Sequence, residues 1–370
     1  MMKAQDARAL AAPQAITDLV AALAQLPEAE RQRFDRLLQV SESTGLLVAP
    51  DSMHAWIEGF FGSVTAVEQQ KIVKTTNLVT FEGTLFNALR SSRPMPAGAP
   101  NEMEEIVSSN HGDPFCRPEE GTPEDIFGRI RGSHALTASN VAKYDAFHGV
   151  VIYNDHNPLE FSRDAIVDYL DVGLRWGQAA LEADPAARYL FFMWNCLWKS
   201  GASILHGHAQ VAATRDMHYA KVEHLRRAAL HYREGCGTNY FEDLYAAHAV
   251  LGLTLERPGV NLLASLTPVK EKEVWLFAET LGPELGEGIF RVLDCYVREL
   301  GVASFNVVLY LPPLAPVAED WSGFPIIARI VDRGPLLNRT ADMGAMELYA
   351  SSVVASDPFK LMEYLGPAFS

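Results

Sequence analysis

Apolar residues recur at helical spacing near the start of the chain: Ile16, Leu19, Val20 and Leu23, then, past Pro27, Phe34, Leu37 and Leu38. Steps of three and four residues put each set on one face, which predicts two helices across residues 13–38. A third is predicted over 53–61, with Asp51 as its N-cap, and this helical front ends near Val64. From Ile72 onward short β-type runs alternate with helical ones. Residues 150–153 form an apolar β run, 165–182 an amphipathic helix and 189–193 a strand; a polar helical stretch occupies 216–234. Thr122-Pro123-Glu124-Asp125 has the composition of a helix start, with Thr122 as cap and Pro123 in the first turn. The stretch 94–104, rich in Pro, Gly, Asn and Glu, reads as a loop. The later part of the chain repeats the alternation: a strand at 260–266, a helix at 283–300, strands at 304–310 and 326–331. The expected architecture is mixed α/β (α+β). Two strand–helix units, at 65–235 and 236–370, follow the helical extension of residues 1–64.

One segment of this pattern carries chemistry. Ser203-Ile204-Leu205-His206-Gly207-His208-Ala209-Gln210 places two imidazoles and an amide at alternate positions. In an extended strand these three share a face, while Gly207 and Ala209 turn to the other and are small enough for close packing. Such a row suits covalent phosphoryl chemistry. One imidazole attacks, its neighbour orients it or binds metal, and the amide donates to phosphoryl oxygens.

Composition narrows the partners. With 46 acidic and 31 basic residues the formal charge is −15, which argues against nucleic acid or an anionic membrane as a partner. A small nucleotide remains compatible, since a few local cations suffice. Cys116, Cys196, Cys236 and Cys295 show no paired spacing, as expected in a reducing compartment. Residues 1–12 are too weakly apolar for a signal peptide, and no run approaches the ~20 apolar residues of a membrane span. A cytoplasmic location is expected.

The run from Asn195 through Lys199-Ser200-Gly201-Ala202-Ser203 to Gln210 resembles the active-site segment of the galactose-1-phosphate uridylyltransferase branch of the histidine triad (HIT) superfamily. Proline usually separates the histidines there, where this chain has Gly207. The resemblance implies a HIT-like fold of two related halves with mainly antiparallel sheets, the second half lacking H-x-H. It also implies a homodimer. His208 would be the nucleophile, attacking the α-phosphorus of a nucleotide or nucleotide-sugar donor to form a nucleotidyl-histidine. A carbonyl such as that of His206 would hold its Nδ1–H. Gln210 would donate to a phosphoryl oxygen, Ser203 to a departing phosphate, and Asn195 would fix the loop or the nucleotide. Arg90 and Arg93, in R-x-x-R-P, resemble the arginine pair that grips the diphosphate, and Ser139-Asn140 resembles the nucleotide-proximal segment. Asn306, Arg333, Asp342 and Glu347 match only loosely. The zinc ligands of the family correspond to Asp113, Cys116, His156 and His206, with Asp113 in place of a cysteine; iron is the other metal such a set admits.

The implied activity is nucleotidyl transfer to a phosphorylated acceptor. Triad hydrolases carry a third histidine where this chain has Gln210, so transferase or phosphorylase chemistry is preferred to hydrolysis. A phosphorylase, with inorganic phosphate as acceptor, is one alternative. A non-catalytic nucleotide-binding protein is another, against which the intact His206, His208 and Gln210 argue.

Overall fold

The computed structural model describes residues 13–92, 112–338 and 343–370. Two sheets organise it. The smaller contains β1 (Leu38–Leu46), β2 (Gln69–Asn77), β3 (Gly83–Phe86) and β13 (Ser352–Val354) in the order β1-β2-β3-β13. The larger contains β4 (Ala135–Ser139), β5 (Phe147–Tyr153), β6 (Tyr189–Asn195), β7 (His208–Thr214), β8 (Thr254–Arg257), β9 (Val260–Ala264), β10 (Glu271–Ala278), β11 (Phe305–Tyr310) and β12 (Ile326–Asp332). Its order is β4-β5-β7-β6-β11-β12-β10-β9-β8, every pair antiparallel.

That order holds an internal symmetry. β4, β5, a helix, β6 and β7 form one unit, and β9, β10, a helix, β11 and β12 repeat the same path. The units meet where β6 pairs with β11, so strand order reads outward alike in both directions. Their helices, Arg163–Ala183 and Pro283–Asp294, pack against each other. The first buries Ile166, Tyr169, Leu170, Val172, Gly173, Trp176 and Ala180, spaced as one helical stripe. Ser162 caps it, its Oγ accepting from the N–H of Ala165 at 3.1 Å. A methyl at Gly173 would stand 2.9 Å from Phe192 Cδ2, so the helix lies on β6 as closely as glycine allows.

The helices expected ahead of residue 64 are present at Leu19–Leu23, Glu28–Leu37 and Asp51–Phe61. Pro50, not Asp51, occupies the N-cap of the last. Between them runs β1, which the residue pattern does not predict and which pairs with β2. Thr122 does not begin a helix. The helical turn is Pro118–Gly121, with Thr122 at its end giving its hydroxyl to the Pro118 carbonyl. Asp125 instead accepts from the indole of Trp176 at 2.7 Å. The helix expected from residue 216 starts at Ala220, and that at 283–300 closes in a π-helical turn, Cys295–Glu299. The loop expected at 94–104 lies outside the described residues.

Opposed residues in paired strands share a face. One rung therefore runs Val150, Gln210, Met193, Val308, Arg329, Trp275 across the middle of the larger sheet. Gln210 and Arg329 occupy matching places on either side of the β6–β11 seam. In the second unit this face is covered. Arg329 bonds Glu273 at 2.6 Å and Glu82, at the β2–β3 turn, at 2.9 Å, and lies 4.3 Å over the Trp275 ring. The smaller sheet adds bonds from Thr84 Oγ1 to the Pro268 carbonyl and from Asn77 Nδ2 to the Tyr240 hydroxyl.

Burial pushes the Glu273 carboxyl up, while the Arg329 guanidinium opposes that shift. Arg329→Met is expected to destabilise the fold by about 3–5 kcal/mol, because a buried carboxylate would lose its only strong counter-charge in that contact. Adding Glu273→Gln should recover much of the loss. Urea unfolding checks this: equal midpoints for wild type and Arg329→Met would show that the buried Arg329–Glu273 pair does not contribute to stability.

Candidate active site and metal cluster

Three strands fix the geometry. β5 pairs with β7 so that His148, Val150 and Ile152 stand opposite Ala212, Gln210 and His208. β6 places Met193 opposite Gln210. His148, Gln210 and His208 therefore line one face, while Val211 on the other meets the Arg163–Ala183 helix. Phe115 packs onto the site face with Val150 and Ile152, its ring edge-on to His208 at 5.1 Å.

The alternation predicts a strand already running through His206, whereas the regular strand starts at His208; the rings of both histidines still meet Phe115 edge-on, at 6.3 Å and 5.1 Å. Gly207 explains the difference. Its N–H donates to the His156 carbonyl at 3.0 Å, and its own carbonyl accepts from Tyr153 at 2.9 Å. These bonds hold residue 207 against the loop after β5. A Cβ at Gly207 would meet Tyr153 Cδ2 at 2.8 Å and the Asp155 carbonyl oxygen at 3.1 Å. Proline there would also remove the N–H that His156 receives.

His208 is buried, and its Nδ1 lies 2.8 Å from the His206 carbonyl. A carbonyl only accepts, so Nδ1 carries the proton and Nε2 keeps its lone pair. Burial holds the imidazole below the ordinary histidine value and favours this neutral form. Gln210 Oε1 lies 2.8 Å from His148 Nε2. His148, fully buried, is the residue that reading the sequence missed. A histidine inside the apolar run Phe147-His148-Gly149-Val150-Val151-Ile152 was the available signal, since burying a polar ring is costly without partners.

Asp113, Cys116, His156 and His206 come together with all four ligand atoms within 4.8 Å of one another. Cys116 Sγ is 3.5 Å from His156 Nδ1 and 3.6 Å from His206 Nδ1, and the two Nδ1 atoms are 3.2 Å apart. His206 Nδ1 is 3.9 Å from Asp113 Oδ1. Ligands about 2.0–2.3 Å from a tetrahedral zinc-sized ion stand roughly 3.3–3.8 Å from one another, close to this spacing. Two further observations fit a cation. His206 Nε2 donates to the Tyr153 carbonyl at 2.7 Å, which turns an unprotonated Nδ1 towards the cluster. Asp113 Oδ2 is buried without a hydrogen-bond partner, while Oδ1 accepts from the N–H of Phe115.

Of the remaining residues singled out in the sequence, Asn195 and Asn140 adjoin these strands. Asn195 ends β6, two residues past Met193 on the site face. Its Oδ1 accepts from Asn306 Nδ2 at 2.6 Å, and Asn306 Oδ1 accepts from Arg333 at 2.5 Å, so the second unit reaches the edge of the site. Asn140 opens the loop between β4 and β5, its N–H donating to the His148 carbonyl. Ser203 is exposed on the bend before His208. Arg90 lies on the 3-10 turn Ala88–Ser92 beside the Asp51–Phe61 helix, in the unit built on the smaller sheet; Glu347 lies in the short helix Ala345–Tyr349. Arg93 and Asp342 lie outside the described residues.

No protein-family model matches this sequence, and no curated protein matches it. Solved structures do. An ADP-glucose phosphorylase from Arabidopsis thaliana, crystallised with ADP-glucose, aligns with a TM-score of 0.59 at 17% identity, covering 78% of this chain and 97% of that one. A galT-like protein from the same plant gives 0.55 at 18% identity, covering 69% and 91%. A uridylyltransferase gives 0.53 at 15% identity, covering 67% and 88%. The chain shares the HIT-like α/β fold of these structures. No helix among the described residues is long and apolar enough to cross a membrane.

Protein purified without chelator is expected to carry about one divalent ion per chain, with Cys116→Ser retaining markedly less. Elemental analysis measures both. Equal metal content in the two proteins would remove Cys116 from the ligand set.

Proposed function

We propose that this chain is a nucleotidyltransferase that moves a nucleoside monophosphate from a nucleotide donor, such as a nucleotide sugar, to a phosphorylated acceptor by way of His208. The observation that carries this reading is the 2.8 Å contact of His208 Nδ1 with the His206 carbonyl, which leaves Nε2 as a nucleophile on the same strand face as Gln210. Nε2 attacks the α-phosphorus. A P–N bond forms, the P–O bond to the leaving phosphate or sugar phosphate breaks, and that oxygen departs with the electron pair. The acceptor's phosphate oxygen then attacks the same phosphorus and returns the imidazole. Gln210 is assigned to the non-bridging oxygens, Ser203 to the departing phosphate, and Asn195 and Asn140 to the nucleotide. Arg90 and Arg93 are assigned to the diphosphate, where guanidiniums match phosphate oxygens by shape as well as charge.

Zinc is the metal proposed for Asp113, Cys116, His156 and His206, with iron as the alternative, because one thiolate, two imidazoles and a carboxylate make a mixed tetrahedral set. Such an ion, held by four protein ligands, would be structural. The residues it would tie together matter for the chemistry, since the Asp113–Cys116 turn carries Phe115 against His208 and the His206 carbonyl holds the His208 proton. One aspartate in place of a thiolate makes weaker retention against chelators the expected behaviour. The cytoplasm and a homodimeric assembly are part of the same proposal.

A second reading, phosphorolysis with inorganic phosphate as acceptor, is supported by the likeness to ADP-glucose phosphorylase, which extends over 97% of that chain. Both readings share the step at His208 and differ in what discharges it. Incubation with labelled UDP-glucose, ADP-glucose, GDP-mannose and ATP in turn, followed by trapping of an acid-labile adduct, tests the shared step. Discharge by phosphate or by sugar phosphates then separates the two. His208→Ala should form no adduct and lose far more than the ~10²-fold typical of one hydrogen-bond donor. An undiminished rate in that variant would end the covalent mechanism.

A further inference from the structure

We propose that His148 is a positioning residue that sets the orientation of the Gln210 amide, so that its N–H2 end is presented on the His208 side for phosphoryl oxygens. The inference rests on the transfer reading above and adds a residue to it.

The chain of constraints begins in the backbone. The Tyr144 N–H donates to His148 Nδ1 at 3.0 Å. A peptide N–H can only donate, so Nδ1 is the unprotonated nitrogen and a neutral ring must carry its proton on Nε2. Nε2 has two neighbours, Gln210 Oε1 at 2.8 Å and Asn140 Nδ2 at 3.4 Å. Asn140 cannot turn its oxygen to the ring without loss, because its Oδ1 already accepts from the N–H of Ala142 at 2.9 Å. The ring proton therefore goes to Gln210, and only the amide oxygen can receive it. The assignment of oxygen and nitrogen in Gln210 is dictated by a main-chain N–H two contacts away.

The surroundings keep the ring in that state. Protonation would set Nδ1–H against the Tyr144 N–H. The imidazole is fully buried beneath the Tyr144 ring, stacked at 4.3 Å, and burial lowers its basicity. Along the strand face Gln210 lies between His148 and His208, one rung from each. With Oε1 taken on the His148 side, N–H2 is left for the other. Without His148 the amide could turn its oxygen towards the phosphoryl group, where two acceptors would repel.

Single-turnover labelling of His208 by the donor that labels wild type tests the role. His148→Leu should slow labelling about ten-fold, less than the ~10²-fold expected of Gln210→Ala, since the amide remains but is no longer preset. The double variant should be no slower than Gln210→Ala alone, because one residue acts through the other. His148→Gln, which can place an N–H2 near the lost Nε2–H, should recover a large part of the rate. Additive losses in the double variant would overturn the proposal in favour of a merely structural histidine. Heteronuclear NMR of the imidazole nitrogens in the unmodified protein provides a readout that needs neither activity nor a folded variant. A neutral Nε2–H ring near neutral pH is expected; an Nδ1–H or doubly protonated ring would overturn the proposal. Failure of every donor to label wild type would instead overturn the transfer reading, a result distinct from either.

Discussion

The pairing of β6 with β11 is the constraint on which the rest depends. Residues from Phe191 to Asn195 bond to those from Tyr310 back to Asn306, and through that seam two four-stranded units become one sheet. Once joined, their two helices must lie side by side on the same face, which dedicates that face to packing. The opposite face is left for everything else. The seam also delivers Asn306 and Arg333 from the second unit to Asn195 in the first. A cut through these strands would thus divide both the core and the edge of the candidate site.

Around His208 and Gln210, backbone atoms do the orienting. A carbonyl fixes the proton of His208, another fixes His206, and a peptide N–H fixes His148. Carbonyls cannot donate and peptide N–H groups cannot accept, so these contacts choose among tautomers with no ambiguity. A site built in this way is arranged in advance of any ligand, so little reorganisation would accompany binding. Glycine at 207 belongs to the same logic, for it lets the chain pass close to Tyr153 while still giving its N–H to His156.

Much of this was legible in the residues. Helical stripes such as that at Ile166, Tyr169, Leu170 and Trp176 announce themselves because burial repeats every three or four positions. The H-x-H-x-Q segment was visible because alternating polar side chains in an apolar run are unusual. What escaped was fixed by distant partners. β1 is a mostly exposed strand held by its pairing with β2, so its own pattern carries little signal. Thr122-Pro123 has the local chemistry of a helix start, but Asp125 is drawn off to the Trp176 indole and Thr122 closes the preceding turn. The strand around the histidines begins later than alternation suggests because Gly207 bonds to the loop at 153–156. The role of His148 depends on a turn closing behind it, which no spacing rule records.

The matching places of Gln210 and Arg329 bear on how this protein can change over time. If both units descend from one ancestral strand–helix unit, the second has lost more than its reactive side chains. A guanidinium clamped to two carboxylates, roofed by a separate sheet whose hydroxyls and amides bond to the surface beneath, now occupies its face. Reverting Arg329 to glutamine would leave the roof in place and strand a carboxylate under it. Each step back towards a second site would pass through a less stable protein, so the asymmetry between the halves is self-locking.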